Sequence, residues 1–229
     1  MLRNSVGPGG ESAALAVTRA IARSLSAAIG IAALTSICLA ELAMGPTLAP
    51  GQTLHGRFVQ ARHLKGLAST LKSEGTFVLA PGRGLIWRIE DPIQTITVIT
   101  PAGIRQIING SEVQHIDAAR APFIAHFYDM LNGALMGDWA AMRHDFAVKT
   151  TGDRGAWRTV LTPLLPNDPI AGRLASIIIT GGKMVDSVDI NRTNGDSERM
   201  AFLDQMGSSV ALSGDDARLL DNKDIKPAD

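Results

Sequence analysis

Turn signals recur at a spacing of roughly ten residues from Leu54 to Leu203, and this spacing limits the fold more than any other feature of the chain. Pro81 to Gly84, Pro101 to Gly103, Asn109-Gly110, Gly181-Gly182 and Asn194-Gly195 punctuate runs rich in Val, Ile and Thr. Between such closely spaced turns there is no room for the crossover helix that parallel strands require. The pattern therefore predicts an antiparallel meander, with strands over 54–64, 73–80, 85–90, 94–100, 104–108 and 112–116. After an interruption, strands are expected over 146–150, 156–163, 174–180, 184–190 and 197–203.

The most informative stretch is Gly75 to Pro92, which reads as a strand, a tight turn and a returning strand. Phe77 and Leu79 alternate with Thr76 and Ala80, and Leu85, Trp87 and Ile89 alternate with Ile86 and Arg88, so that one face is apolar with a tryptophan at its centre. Phe58 and Val59 lie in the strand before it. The interruption between residues 119 and 142 is helical in pattern: Phe123, Phe127, Met130, Leu131 and Ala134 recur at intervals of three and four. Pro122 suits a first helical turn, and Gly133 and Gly137 suit its end. A long sheet of this kind must curl or close, because a flat one leaves edges and an apolar face exposed. The expected fold is mainly β (α+β), an incomplete antiparallel β-barrel of about eleven strands with the helical segment as its lid.

The N-terminus predicts a leader. Arg3, Arg19 and Arg23 precede an apolar run from Leu25 to Leu39, and small residues follow. The run is shorter than the ~20 residues of a spanning helix, so a cleaved secretory signal over residues 1–40 is expected, leaving a mature chain that begins at Glu41. Its removal takes away Cys38, the one cysteine, so the mature fold must be held by a hydrophobic core and not by disulfides. Residues 41–205 are expected to form a single domain and 206–229 a polar, loosely attached tail.

Chemistry is sparse. The chain carries no net formal charge, which gives no reason to expect nucleic acid. His55, His63, His115, His126 and His144 are scattered without the spacing of a zinc site, and no nucleophile elbow, phosphate loop or metalloprotease helix is present. Gly82-Arg83-Gly84 follows a hairpin strand and reads as a turn. Asp215, Asp216, Asp221 and Asp224 lack the glycine and closing glutamate of a calcium loop. No enzyme activity and no cofactor or metal is expected. What remains is apolar surface: the strand faces and the Phe123, Phe127 and Met130 stripe either fill one another completely or leave a cavity between sheet and lid.

In order and spacing the mature chain resembles the LolA-type periplasmic carriers of outer-membrane lipoproteins. The resemblance runs through Phe58-x-Gln60, Glu74-Gly75, the turn with Pro81, Leu85-x-Trp87 and Pro92, then Pro122-Phe123, Asp138-Trp139 and Leu161-Thr162-Pro163. It implies an apolar cavity under a helical lid that shields acyl chains in transit, with Leu85, two residues before the tryptophan, on its wall. Phe58, Phe77, Leu79, Leu85, Trp87, Ile89, Phe123, Phe127 and Met130 are the candidate cavity residues. The implied partners are the acyl chains of a lipoprotein or another lipid, an inner-membrane donor and an outer-membrane acceptor, met by a monomer in the periplasm. In those carriers an arginine just before the turn proline latches the lid. Here that position is Pro81, and Arg83, two residues on, either takes the role or faces solvent. A sensor or scaffold domain of the same fold, regulating a membrane partner, is the alternative.

Overall fold

In the computed structural model the described residues are 48–49, 51–121, 123–165 and 171–221; the leader expected over residues 1–40 lies outside them. Among them are β1 (Thr53–His63), β2 (Leu71–Ala80), β3 (Gly84–Asp91), β4 (Thr95–Thr100), β5 (Gly103–Ile108) and β6 (Ser111–Asp117). There follow α1 (Phe123–Met136), a short 3-10 turn at Ala141–His144, β7 (Phe146–Asp153), β8 (Ala156–Pro163), β9 (Leu174–Gly181), β10 (Val185–Arg192), β11 (Ser197–Ser208) and α2 (Gly214–Leu220). The strands make one antiparallel sheet in the order β6-β5-β4-β3-β2-β1-β11-β10-β9-β8-β7. β1 and β11 meet in the middle of the sheet, with Phe58 opposite Phe202, while β6 and β7 are its edges.

The sheet is strongly curled. Phe58, Phe77, Leu85, Ile99, Phe146, Leu161, Ile179 and Val188 belong to one continuous core although their strands span almost the whole sheet. They lie on one face because side chains alternate along a strand, and a flat sheet of this width could not bring them into a single cluster. This concave face carries the core; the sheet is an incomplete barrel, open along the seam between β6 and β7.

Two glycines set how the aromatic groups fit on the concave face. Phe58 is paired with Gly75 and Phe77 with Gly56, so on β1 and β2 each large ring lies beside a residue with no side chain. A Cβ on Gly56 would come within 2.6 Å of the Phe77 ring. A Cβ on Gly75 would run into the Arg88 carbonyl. Glycine inside a strand weakens it, and here Gly56 leaves room for the Phe77 ring while Gly75 allows the close approach of the β3 backbone.

The chain leaves β6 at the end of the sheet that holds the β2–β3 turn and enters β7 at the opposite end, so α1 traverses the concave face. Ile124, Tyr128 and Leu135 are buried and Leu131 packs against the core. Their spacing of three and four residues puts them on one side of the helix. The stripe expected from Phe123, Phe127, Met130, Leu131 and Ala134 shares Leu131 with this face and has Met130 and Ala134 on its half-buried flank; the side chains of Phe123 and Phe127 lie outside those described.

On the opposite, convex face a smaller core forms from Val78, Ala80, Ile86, Val98 and Ile107, covered by Leu220 with Leu212 and Leu219 at its margin. A loosely attached tail was expected over residues 206–229, of which 222–229 lie outside the described residues. β11 continues past Gln205 to Ser208, and α2 docks on the sheet. The helix is started by Ser213, whose Oγ accepts from the Asp216 amide at 3.0 Å. Asp216 pairs with Arg88, and Arg105 donates to the Leu219 carbonyl at the helix C-terminus. Polar composition concealed the docking, because only Leu212, Leu219 and Leu220 supply the apolar contact while arginines on the sheet hold the rest.

Candidate functional site

Phe58, Phe77, Leu79 and Leu85 are buried in the concave core, and Trp87, Ile89 and Met130 pack against it half-buried. These seven sequence-selected residues therefore share one wall and its cover. Trp87 stacks on Phe58 with ring centroids 3.8 Å apart and lies edge-on to Phe202 at 6.1 Å; Phe77 meets Phe202 edge-on at 5.5 Å. Such contacts between aromatic rings contribute beyond the area they bury. At the other side of the core Trp139 packs edge-on to Trp157 at 5.6 Å, and Trp157 Nε1 donates to the Gly182 carbonyl at 2.8 Å.

Around the fully buried centre the wall is only partly covered. Met130, Met136, Met184 and Met200 all lie in this half-buried layer with Trp87, Ile89, Leu174 and Ile177. Methionine is unbranched and polarisable and adapts to the shape it meets, so four of them leave this lining compliant. Four buried side-chain polar atoms have no hydrogen-bond partner among the described residues: Tyr128 OH and Asn132 Oδ1, one turn apart on α1, Trp139 Nε1 and Gln205 Oε1. An unpaired buried polar group costs on the order of 1–3 kcal/mol, and native proteins rarely leave several in one region. Burial raises the Tyr128 pKa above the ordinary phenol value; the Gly82 amide, which approaches without completing a hydrogen bond, partly offsets it, and Asp129 adds to the rise.

A cavity of about 270 Å³ opens at the end of the wall away from the β2–β3 turn. Ile89, Leu71 and Pro92 form its apolar side, and Gln60, Ser73, Arg62 and Lys72 its polar side. Gln60 and Ile89 stand two residues beyond Phe58 and Trp87 on the same strand faces, so the cavity continues the aromatic wall. Its polar floor is a chain of hydrogen bonds across three strands. Ser73 Oγ donates to Gln60 Oε1 at 2.8 Å, Gln60 Nε2 donates to Glu198 Oε1 at 2.5 Å, and Arg62 Nε donates to Glu198 Oε2 at 3.2 Å. Sequence reasoning did not single out Arg62, Ser73, Lys72 or Glu198. The available signal was a break in alternation, since the apolar face of β1 ends at Phe58 and becomes polar at Gln60 and Arg62.

Arg83 points elsewhere than the lid. Its guanidinium donates to Asp221 Oδ1 at 2.9 Å, just past the end of α2, so it belongs to the convex side. The lid helix approaches the same turn through Tyr128. Another groove, of about 360 Å³ and open to solvent, lies at the tips of β7 and β8 beside Trp157 and Arg158. Among the described residues no cluster of three His, Cys, Asp or Glu could hold a metal ion, and no helix is long and apolar enough to cross a membrane.

No family model matches the chain, and no curated protein matches it. Among solved structures it is similar to a LolA superfamily protein from Nitrosomonas europaea, at 9% identity and a TM-score of 0.39, over 75% of this chain and 91% of that one. A putative outer membrane lipoprotein-sorting protein domain from Vibrio parahaemolyticus is similar at 8% identity and a TM-score of 0.37, over 76% and 91%. A chain of the Pseudomonas aeruginosa MucA/MucB complex is similar at 12% identity and a TM-score of 0.35, over 73% and 55%. At these identities the reading of the site rests on this chain's own residues.

Proposed function

We propose that the concave face is a carrier site for the acyl chains of a lipoprotein or another lipid, which the protein shields during passage through the periplasm from an inner-membrane donor towards an outer-membrane acceptor. One observation supports this reading above the rest: the concave wall is apolar across almost the whole sheet, yet its outer layer is half-buried and rich in methionine, and it runs into an open cavity beside Ile89. A core built for stability alone is close-packed, whereas a compliant lining under a helix lets hydrocarbon in. Each methylene removed from water contributes about 0.8 kcal/mol, so a chain taken beneath α1 is held without any specific polar contact.

The unpartnered Tyr128 hydroxyl, Asn132 carbonyl and Trp139 indole nitrogen fit the same reading, because ester or amide groups at the head of an acyl chain offer both acceptors and donors to them. The test is native mass spectrometry of the purified protein, followed by lipid extraction and reloading with acylated ligands. Recovery or loading of an acyl-bearing species is the expected result. A protein that neither retains nor takes up any such species, yet binds a protein partner with its interior closed, overturns the carrier reading in favour of a sensor or scaffold.

A further inference from the structure

We propose that α2 is a brace for the lid: it holds the β2–β3 turn from the convex face, that turn seats α1 on the concave face, and release of α2 frees α1. The two helices lie on opposite faces of the same part of the sheet. α1 lies against β4 and β5, and α2 against β3 and β4. Neighbouring residues of β3 and β4 serve one helix each. Leu85 and Ile99 belong to the concave core with Tyr128 and Leu135 of α1, whereas Ile86 and Val98 belong to the convex core that Leu220 closes. Side chains alternate across a strand, so a backbone shift on one face is felt in the packing of the other. The brace is local: among the described residues, none from β7 to β11 belongs to the convex core. On the carrier reading, a contact on the outer face thereby sets how readily the acyl site opens.

The grip converges on the turn itself, which the Arg83 amide closes by donating to the Ala80 carbonyl at 2.9 Å. On the convex side Leu220 comes down onto the strand at Gly84, where a Cβ would lie within 2.7 Å of the leucine side chain. On the concave side Tyr128 of α1 approaches the Gly82 amide. The two helices thus meet the chain two residues apart, on either side of Arg83. The Arg83–Asp221 pair adds a weak tie, since both side chains are nearly half exposed. Arg88 with Asp216, side chains 23% and 13% exposed, and Arg105 on the Leu219 carbonyl are the firmer ones. With seven residues α2 is too short to persist in water by itself, so its docking and its folding are one event. When its contacts go, the helix goes, and the turn loses its convex support.

Amide hydrogen exchange of the full chain, read by mass spectrometry, tests the coupling with no lipid present, so its outcome is separate from that of the carrier reading. Leu220→Ser removes the contact on Gly84. Arg88→Gln removes the partner of Asp216 and leaves both apolar cores whole. Ile178→Ala is the control for general loosening: it lies on β9, outside the convex core, on the strand face opposite Ile177 and Ile179. In both test variants the amides of α2 are expected to lose their protection and those of α1 to exchange about ten-fold faster or more, against less than about two-fold in the control. An α1 that keeps the parent rates while α2 exchanges freely overturns the brace. So does an equal rise over α1 in the Ile178→Ala control, and so does an α2 that stays protected in both test variants.

Discussion

Trp87 and Phe58 stack at 3.8 Å between ring centroids although they belong to β3 and β1, two strands separated by β2. The contact crosses the intervening strand at Gly75, the residue that pairs with Phe58 on one side and with Ile89 on the other. Gly75→Ala should therefore push β3 away from β2 and disturb the stacking that spans them, since the new methyl meets the Arg88 carbonyl. A loss of about 2–4 kcal/mol in urea unfolding is expected, with a shift in tryptophan emission. A variant as stable as the parent, with unchanged emission, would show that the stacking does not depend on this glycine.

Leu85 and Met130 separate the roles of core and lining. Leu85 is buried in the concave core, so Leu85→Glu places an unpaired charge in apolar surroundings and should prevent folding, read as loss of the cooperative unfolding transition. Met130 lies half-buried on α1. Met130→Glu should keep the fold, with a loss of about 1–2 kcal/mol, and sharply reduce acyl loading in the reloading assay. Normal loading by Met130→Glu would remove α1 from the site.

Tyr128 is the one tyrosine of the chain, so its titration can be followed directly by ultraviolet absorbance. Burial keeps the folded phenol protonated at a pH where the unfolded one has lost its proton. The stability that follows from this is present in full below about pH 10 and declines as pH rises from there through the folded pKa, by up to ~1.4 kcal/mol per pH unit. Tyr128→Phe should abolish that alkaline slope and, by removing an unpartnered hydroxyl, leave stability at neutral pH unchanged or raised. An absorbance change centred at the ordinary phenol pKa would contradict the burial.

The arginines beneath α2 should differ sharply. Arg83 and Asp221 are each nearly half exposed, so Arg83→Ala should cost less than about 1 kcal/mol and leave lipid loading as it was. Arg105 has a side chain only 6% exposed and serves both Glu112 and the Leu219 carbonyl; Arg105→Ala should cost about 2–4 kcal/mol and release α2. Binding of a hydrophobic dye to the uncovered patch around Ile86 and Val98 reports that release. No dye binding by Arg105→Ala would show that the leucines alone hold the helix.

Strand number, strand order along the chain and the inward face of the Gly75 to Pro92 hairpin were all legible in the sequence, because each depends on turn residues and on alternation over a few positions. The polar end of the site was not. Gln60 and Glu198 meet across the β1–β11 pairing, which joins segments far apart in the chain, and nothing local in either strand announces the other. The docking of α2 was hidden for the same reason: Arg88, Arg105 and Asp216 read as ordinary surface charges until the fold brings them together. For Arg83 the sequence left two readings open, a latch for the lid or a side chain facing solvent. A residue in a turn has no alternation to say which face it serves.

The open seam between β6 and β7 gives the segment that joins them a mechanical part. Because the chain passes from one edge strand to the other through α1, the helix is tethered at both ends to the two lips of the opening. Any spreading of the lips draws on both tethers, and any outward swing of α1 pulls the lips with it. The width of the mouth and the position of its cover are thus a single degree of freedom, as in a drawstring purse whose cord is also its flap.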